Sequence, residues 1–347
     1  HTRAIELDPR FATPYANRGV AYQSRGELER ALGDIREALR LTPSNPAWMR
    51  NLGLILSDLG RYDEADEVLT DALRLAPQSA PLRALLARAK TELGDAAGGL
   101  AEAERALAID PTHDLAIFQR GLALSRLNRQ EKARSVFTAL IEQAPTYAAA
   151  SRNRAGVHML LGELANAEAD LQRYLELVPT RVDAWLDLYR IRNRLGQPDD
   201  AFEALQRAYA LAPHDPEVLF ERGAACIRRA EWSQAEEALM RVVQAQPEMW
   251  HAWANLGELA ARANRRDEAI EYFSKAYILC DDPEGRRLLA GSFRALNAPL
   301  PTLGLPAGWV VGHTLRDRDG QLWRIDFVKP GQPATLQLVW IPRGERE

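Results

Sequence analysis

Eight prolines, Pro9, Pro43, Pro77, Pro111, Pro145, Pro179, Pro213 and Pro247, recur at a fixed step of 34 residues. No insertion disturbs the step, so most of the chain is one unit copied many times. A period of this length marks a stack of helical hairpins, in which each unit touches only its neighbours. The 347 residues therefore do not divide by length into ordinary globular domains. For such an array, recognition rather than catalysis is the default function.

With Ala12 as the first position, the units run 12–45, 46–79, 80–113, 114–147, 148–181, 182–215, 216–249 and 250–283. The eighth position reads Gly19, Gly53, Ala87, Gly121, Ala155, Tyr189, Gly223 and Gly257. The twentieth reads Ala31, Ala65, Gly99, Ala133, Ala167, Ala201, Ala235 and Ala269. Small side chains at two fixed points mean that two helices cross closely there. Position 24 is bulky (Ile35, Leu69, Phe137, Leu171, Leu205, Leu239, Phe273) except at Ala103, and fills the space that the small residues leave. Tyr189 breaks the small-residue rule, and local adjustment is expected around it. Gly26, Gly60, Gly94, Gly162 and Gly196, or Asn128 and Asn264, mark a turn between the two helices of a unit. Both residue types tolerate the left-handed backbone that ends a helix.

These residues resemble the tetratricopeptide repeat: small at 8 and 20, often Ala at 27 (Ala38, Ala72, Ala106, Ala208, Ala276), and proline at 32. The likeness covers residues 1–283 and is loosest in units 3 and 5. It implies an all-α helical-hairpin solenoid, a right-handed superhelix of eight full repeats. Residues 1–11 read as the remnant of a truncated repeat, and the chain as a fragment of a longer protein. Residues 284–298 read as a capping helix, with Leu288, Leu289, Phe293 and Leu296 over the last core layer, followed by a linker at 299–308. Composition then changes: three of the eight tryptophans fall in the last 39 residues. Alternation such as Trp323, Ile325 and Phe327 on one face, with Asp319-Gly320 as a hairpin turn, predicts a small C-terminal antiparallel β-meander over 309–343. About 40 residues seldom bury enough to stand alone, so the meander is expected to dock, or to self-associate through an open strand edge.

In the family resembled, positions 2, 5, 6, 9, 12 and 13 of each first helix line a concave groove, and their spacing places them on one helical face. The candidate peptide-binding residues there are Asn17, Asn51, Arg88, Phe118, Leu122, Arg152, Asn153, Arg190, Phe220 and Asn255. An asparagine ladder offers donors and acceptors to the backbone of an extended peptide. The same amides are also ordinary solvated helix-face residues. Arginines on this face bind carboxylates, but seven acidic residues share it, so self-neutralisation is expected, as at Glu258–Arg262 and Asp187–Arg190. The apolar residues, with Met159, Leu160, Leu186 and Ile227, are the type that anchors a partner. No three consecutive units supply the family's clamp for chaperone tails.

Lys and Arg number 44 against 48 Asp and Glu, for a net charge of −4. That balance gives no field to gather nucleic acid or an anionic membrane, and no apolar run is long enough for membrane insertion. Cys226 and Cys280 form no disulfide framework or metal spacing. The six histidines are scattered, and no phosphate loop, zinc pattern or nucleophile elbow is present. Neither a catalytic residue, a cofactor nor a metal is expected in these residues. The leading expectation is a non-catalytic scaffold for a protein or peptide partner, cytoplasmic in location. The alternative is the regulatory or substrate-recruiting half of a larger enzyme, since the repeat style resembles arrays trailing bacterial signalling kinases and glycosyltransferases.

Overall fold

The computed structural model describes residues 1–298 and 300, together with the backbone of 310–316, 322–328 and 335–339. The described residues fall into two compact units, His1–Pro213 and His214–Glu347.

In the first unit a short helix, α1 (Thr2–Leu7), precedes six helical pairs. They are α2 (Ala12–Ser24) with α3 (Leu28–Leu41), α4 (Pro46–Asp58) with α5 (Tyr62–Leu75), and α6 (Ala80–Glu92) with α7 (Ala96–Ile109). Then come α8 (Asp114–Arg126) with α9 (Gln130–Gln143), α10 (Ala148–Leu160) with α11 (Leu164–Leu177), and α12 (Val182–Arg194) with α13 (Pro198–Leu211). The second unit holds α14 (Pro216–Arg228) with α15 (Trp232–Ala245), α16 (Trp250–Arg262) with α17 (Arg266–Leu279), and the closing helix α18 (Pro283–Ala295).

The pairing follows from the small and bulky positions. A Cβ added to Gly53 would meet Leu69 Cγ at 2.6 Å, and one on Gly121 would meet Phe137 Cε1 at 2.6 Å. Gly19, Gly223 and Gly257 stand in the same relation to Ile35, Leu239 and Phe273. Phe137, Ile35 and Leu69 are fully buried, and each such side chain is worth about 1.5–3 kcal/mol in removed apolar surface. The third repeat reaches closeness differently. Gly99 lies against Thr91 and the Ala87 carbonyl, so Ala103 suffices where other repeats need a bulky residue. Tyr189 is accepted at 3% exposure, and α12 and α13 keep the 13- and 14-residue lengths of the other pairs.

The turns inside repeats take the left-handed conformation at all the predicted positions, from Gly26 (φ 75°) to Asn128 and Asn264 (both φ 58°). The seventh repeat places Ala230 there at φ 59°, a strained choice for a residue carrying a Cβ. Four first helices, α4, α6, α8 and α14, are opened by side-chain caps. Asn45 accepts from the Ala47 and Trp48 amides, and Asp215 and Asp282 cap α14 and α18 in the same way, each just before a proline. The recurring prolines lie just beyond the second helices, and their carbonyls are used: Trp185 Nε1 donates to Pro179 O and Trp253 Nε1 to Pro247 O, both at 2.8 Å.

One expectation about the fold is corrected. The backbone of Val310–Arg316 (β1), Leu322–Val328 (β2) and Thr335–Val339 (β3) is extended and pairs antiparallel in that order. The side chains of these stretches, and the residues joining them, lie outside the described residues. A folded layer needs an apolar face buried against another element, and about 40 residues are too few to supply one alone. The fold class is the all-helical solenoid, with eighteen helices among the described residues. The β-meander is not supported as a module of it, nor is self-association through its edge. The linker at 299–308 also lies outside the described residues, apart from Leu300.

Candidate functional site: the face of the first helices

Within the first unit, the first helices α2, α4, α6, α8, α10 and α12 carry the expected groove positions. Arg88, Arg126 and Arg152 there are tied to acids of neighbouring repeats. Arg88 Nη1 donates to Asp58 Oδ1 at 3.0 Å, and Arg126 Nη2 to Glu92 Oε2 at 2.7 Å. Arg152 Nη2 reaches Asp183 Oδ2 at 2.9 Å and Asp187 Oδ2 at 3.7 Å, with its guanidinium 5.6 Å from the Tyr174 ring centre. Asp183 is held down to about 2 by the hydrogen bond from Arg181, with the charge of Arg152 adding to it. The expected self-neutralisation runs mainly between helices rather than along them. Partly exposed pairs of this kind contribute about 0–1 kcal/mol each, and they leave the face without a cationic stripe. Arg190 lies half-buried on α12 among other interactions.

The amides differ from one another. Asn17 is exposed. Half-buried Asn51 accepts from Arg50 Nη2 at 3.4 Å, while Asn153 Nδ2 donates to its own helix at Ala149 O, 2.8 Å away. Gln119, related to the ladder by position, is 2% exposed and its Oε1 has no partner among the described residues. The apolar candidates Phe118 and Leu122 are drawn into the packing between repeats. The Phe118 ring lies 5.3 Å from Tyr147 and 5.9 Å from Phe137, centre to centre. Among the residues open on this face are Asn17, Val20, Arg50 and Leu160, with Val20 at 43% and Leu160 at 69% exposure.

In the second unit, Phe220 is half-buried on α14, its ring 6.3 Å from His251, and Asn255 is half-buried on α16. His251 stacks on Trp250 at 3.6 Å, and local loss of water lowers its pKa. Cys226 and Cys280 are buried free thiols, and burial raises the pKa of both. Among the described residues no cluster of His, Cys, Asp or Glu converges on a metal position, and no helix is long and apolar enough to cross a membrane.

A further set of polar residues escaped the sequence reading. Arg18 grips Asp34 through Nε and Nη2 at 2.6 and 2.8 Å, and Arg154 grips Asp170 in the same way at 2.7 and 2.5 Å. Both pairs span 16 residues, from position 7 of a first helix to position 23 of the second. The signal was present as an arginine with an aspartate 16 residues on. Around Arg154 the network extends to Thr138 (3.0 Å), and His158 Nδ1 lies 2.5 Å from Glu163 Oε2. Hydrogen bonds from His158 and then Asn166 lower the Glu163 pKa.

A family model described as Tetratricopeptide repeat matches residues 16–80, 50–114, 118–182 and 227–283, and a second of the same description matches 192–254. The chain belongs to the tetratricopeptide repeat family. Among curated relatives it is 24% identical over 284 residues to Protein O-mannosyl-transferase TMTC3 of Homo sapiens, covering 80% of this chain and 29% of that protein. It is 28% identical over 162 residues to Anaphase-promoting complex subunit 3 of Schizosaccharomyces pombe, covering 47% and 23%. The chain thus spans under a third of the length of either relative. Among solved structures, PilW, a type IV pilus biogenesis factor, matches with a TM-score of 0.54 and 23% identity, covering 60% of this chain and 96% of that one. That likeness shows the fold alone, a helical tetratricopeptide solenoid; it agrees with the helical-hairpin array expected from the sequence and lends no support to the added C-terminal β-meander.

Proposed function

We propose that this tetratricopeptide repeat protein is a protein-interaction scaffold whose first-helix face receives an extended peptide or a partner helix. The supporting observation is the state of that face. Arg88, Arg126 and Arg152 are neutralised by acids of adjacent repeats, while Arg50 and amides and aliphatic side chains such as Asn17, Val20, Asn51 and Leu160 remain accessible. A neutral, rigid face with scattered apolar anchors suits a partner read by shape and backbone hydrogen bonds rather than by charge. Membership of an assembly is also what the name of the anaphase-promoting complex relative describes for that protein. The test is protein capture on the chain and on the variant Val20→Asp, Arg50→Glu, Leu160→Asp, with hydrogen exchange on the captured complex. Binding lost in the variant, with protection on the first helices, supports the reading; protection confined to the second helices sinks it.

A second reading, a recruiting half of a larger enzyme, is favoured by the similarity over 80% of this chain to part of an O-mannosyl-transferase. Sequencing the whole reading frame separates the two: a transferase domain in the same polypeptide supports this reading, and repeats alone remove it.

A further inference from the structure

Positions 7 and 23 are matched in most repeats. Arginine faces aspartate in the first and fifth (Arg18–Asp34, Arg154–Asp170). An aliphatic residue faces another apolar one in the second, sixth and eighth (Leu52 and Val68, Leu188 and Ala204, Leu256 and Tyr272). In the third, Glu102 at position 23 is taken by Arg83 at 2.8 Å and by Arg105. In the seventh, where Ala238 replaces the acid, Arg222 lies beside the Cys226 thiol.

The fourth repeat breaks the match. Arg120 faces Val136, and its buried Nε has no hydrogen-bond partner among the described residues. Beside it opens a cleft of ≈ 470 Å³ between α7, α8 and α9, walled by Leu100, Leu124 and Val136. Arg129 and Lys132 stand on its rim with Glu104 and Glu131, and Glu131 is already held by Arg134.

We propose that this cleft binds a carboxylate side chain of a protein partner, received by Arg120 as Arg18 and Arg154 receive the chain's own aspartates. The planar guanidinium fork fits a carboxylate through two parallel hydrogen bonds. The apolar walls suit aliphatic residues flanking the acid. Two rim carboxylates oppose a dianion, which favours a singly charged carboxylate over a phosphate. The site uses Arg120 and Leu124 on α8, at positions outside the groove set, together with α7 and α9; it does not rest on the reading of the first-helix groove positions, so either can fail alone.

The test uses the whole chain and two probes, acetyl-Leu-Glu-Leu-amide and its Gln counterpart, followed through the Arg120 Nε–Hε resonance, which is assigned by its loss in Arg120→Met. The Glu peptide is expected to shift that resonance and to bind at least about fivefold more tightly than the Gln peptide. Val136→Asp supplies the missing carboxylate within the chain. It is expected to weaken Glu-peptide binding about tenfold or more and to raise the melting temperature by about 2 °C. Val68→Asp, opposite Leu52, is expected to lower the melting temperature. Equal affinity for the two peptides, an unmoved Arg120 resonance, or undiminished binding by Val136→Asp overturns the proposal. Inorganic phosphate competing better than acetate overturns the choice of a carboxylate.

Discussion

The fourth and fifth repeats share one backbone plan and treat their interiors in opposite ways. In both, a small residue at position 8 meets a bulky one at position 24: Gly121 with Phe137, and Ala155 with Leu171. Beyond that joint, the fourth packs Phe118, Phe137 and Tyr147 together and leaves Arg120 beside Val136. The fifth buries a network of Arg154, Asp170 and His158, with Thr138 of the preceding repeat contributing. The fold is therefore set by steric complementarity at a few positions. Positions 7 and 23 are left free to carry polar chemistry that differs from repeat to repeat.

The largest effect that sharpens this contrast is expected at Asp170. Its side chain and that of Arg154 are 5% and 19% exposed, so Asp170→Ala strands a buried guanidinium and is expected to cost about 3–5 kcal/mol. The paired change Arg154→Met with Asp170→Leu, which makes the fifth repeat resemble an apolar one, is expected to cost under about 1 kcal/mol. Urea unfolding followed by circular dichroism measures both. A mild Asp170→Ala would mean that the network is solvated, and the contrast would dissolve.

Next in size is the joint itself. Gly121→Ala sets a methyl against Phe137 and is expected to lose about 1–3 kcal/mol. Gly156→Ala in the fifth repeat has open space around its Cβ and is expected to gain about 0.5–1 kcal/mol. Equal responses would show that position 8 is not the steric pivot. At the turns, Gly162→Ala is expected to cost about 1–2 kcal/mol, because φ there is 77°. Ala230→Gly in the seventh repeat, at φ 59°, is expected to recover a similar amount. Thermal melts of the two variants move in opposite directions if strain is the cause.

The smallest effect depends on pH. The folded pKa of Asp183, about 2, lies below the ordinary 3.8, chiefly through Arg181 and also through Arg152 of the fifth repeat. The stabilisation it provides is full above about pH 4 and is lost as the pH falls toward 2. A carboxyl titration by NMR checks this: an Asp183 midpoint near 3.8 would show that the Arg181 hydrogen bond is not formed in solution, and an unchanged midpoint in Arg152→Met would show that Arg152 adds nothing to it.

The solenoid was legible because its determinants are local and periodic. Gly53 and Leu69, or Gly26 and its turn, carry their meaning in residue size and backbone freedom, which sequence displays directly. The face of the first helices was legible only in outline. Arg88 and Arg126 sit at groove positions, yet they bond acids about one repeat away, a geometry set by how neighbouring hairpins stack. Phe118 turns inward for the same reason, since Tyr147 lies within reach only once the hairpins are stacked. The C-terminal alternation of Trp323, Ile325 and Phe327 misled, because alternation describes a strand without supplying the surface it must cover.

The most direct test of the scaffold account is capture of protein partners by the intact chain and by the Val20→Asp, Arg50→Glu, Leu160→Asp variant. Circular dichroism first confirms that the variant keeps its helices. Partners held by the wild type and released by the variant are the outcome the account requires. The same partners held equally by both would contradict it and place recognition away from the first helices.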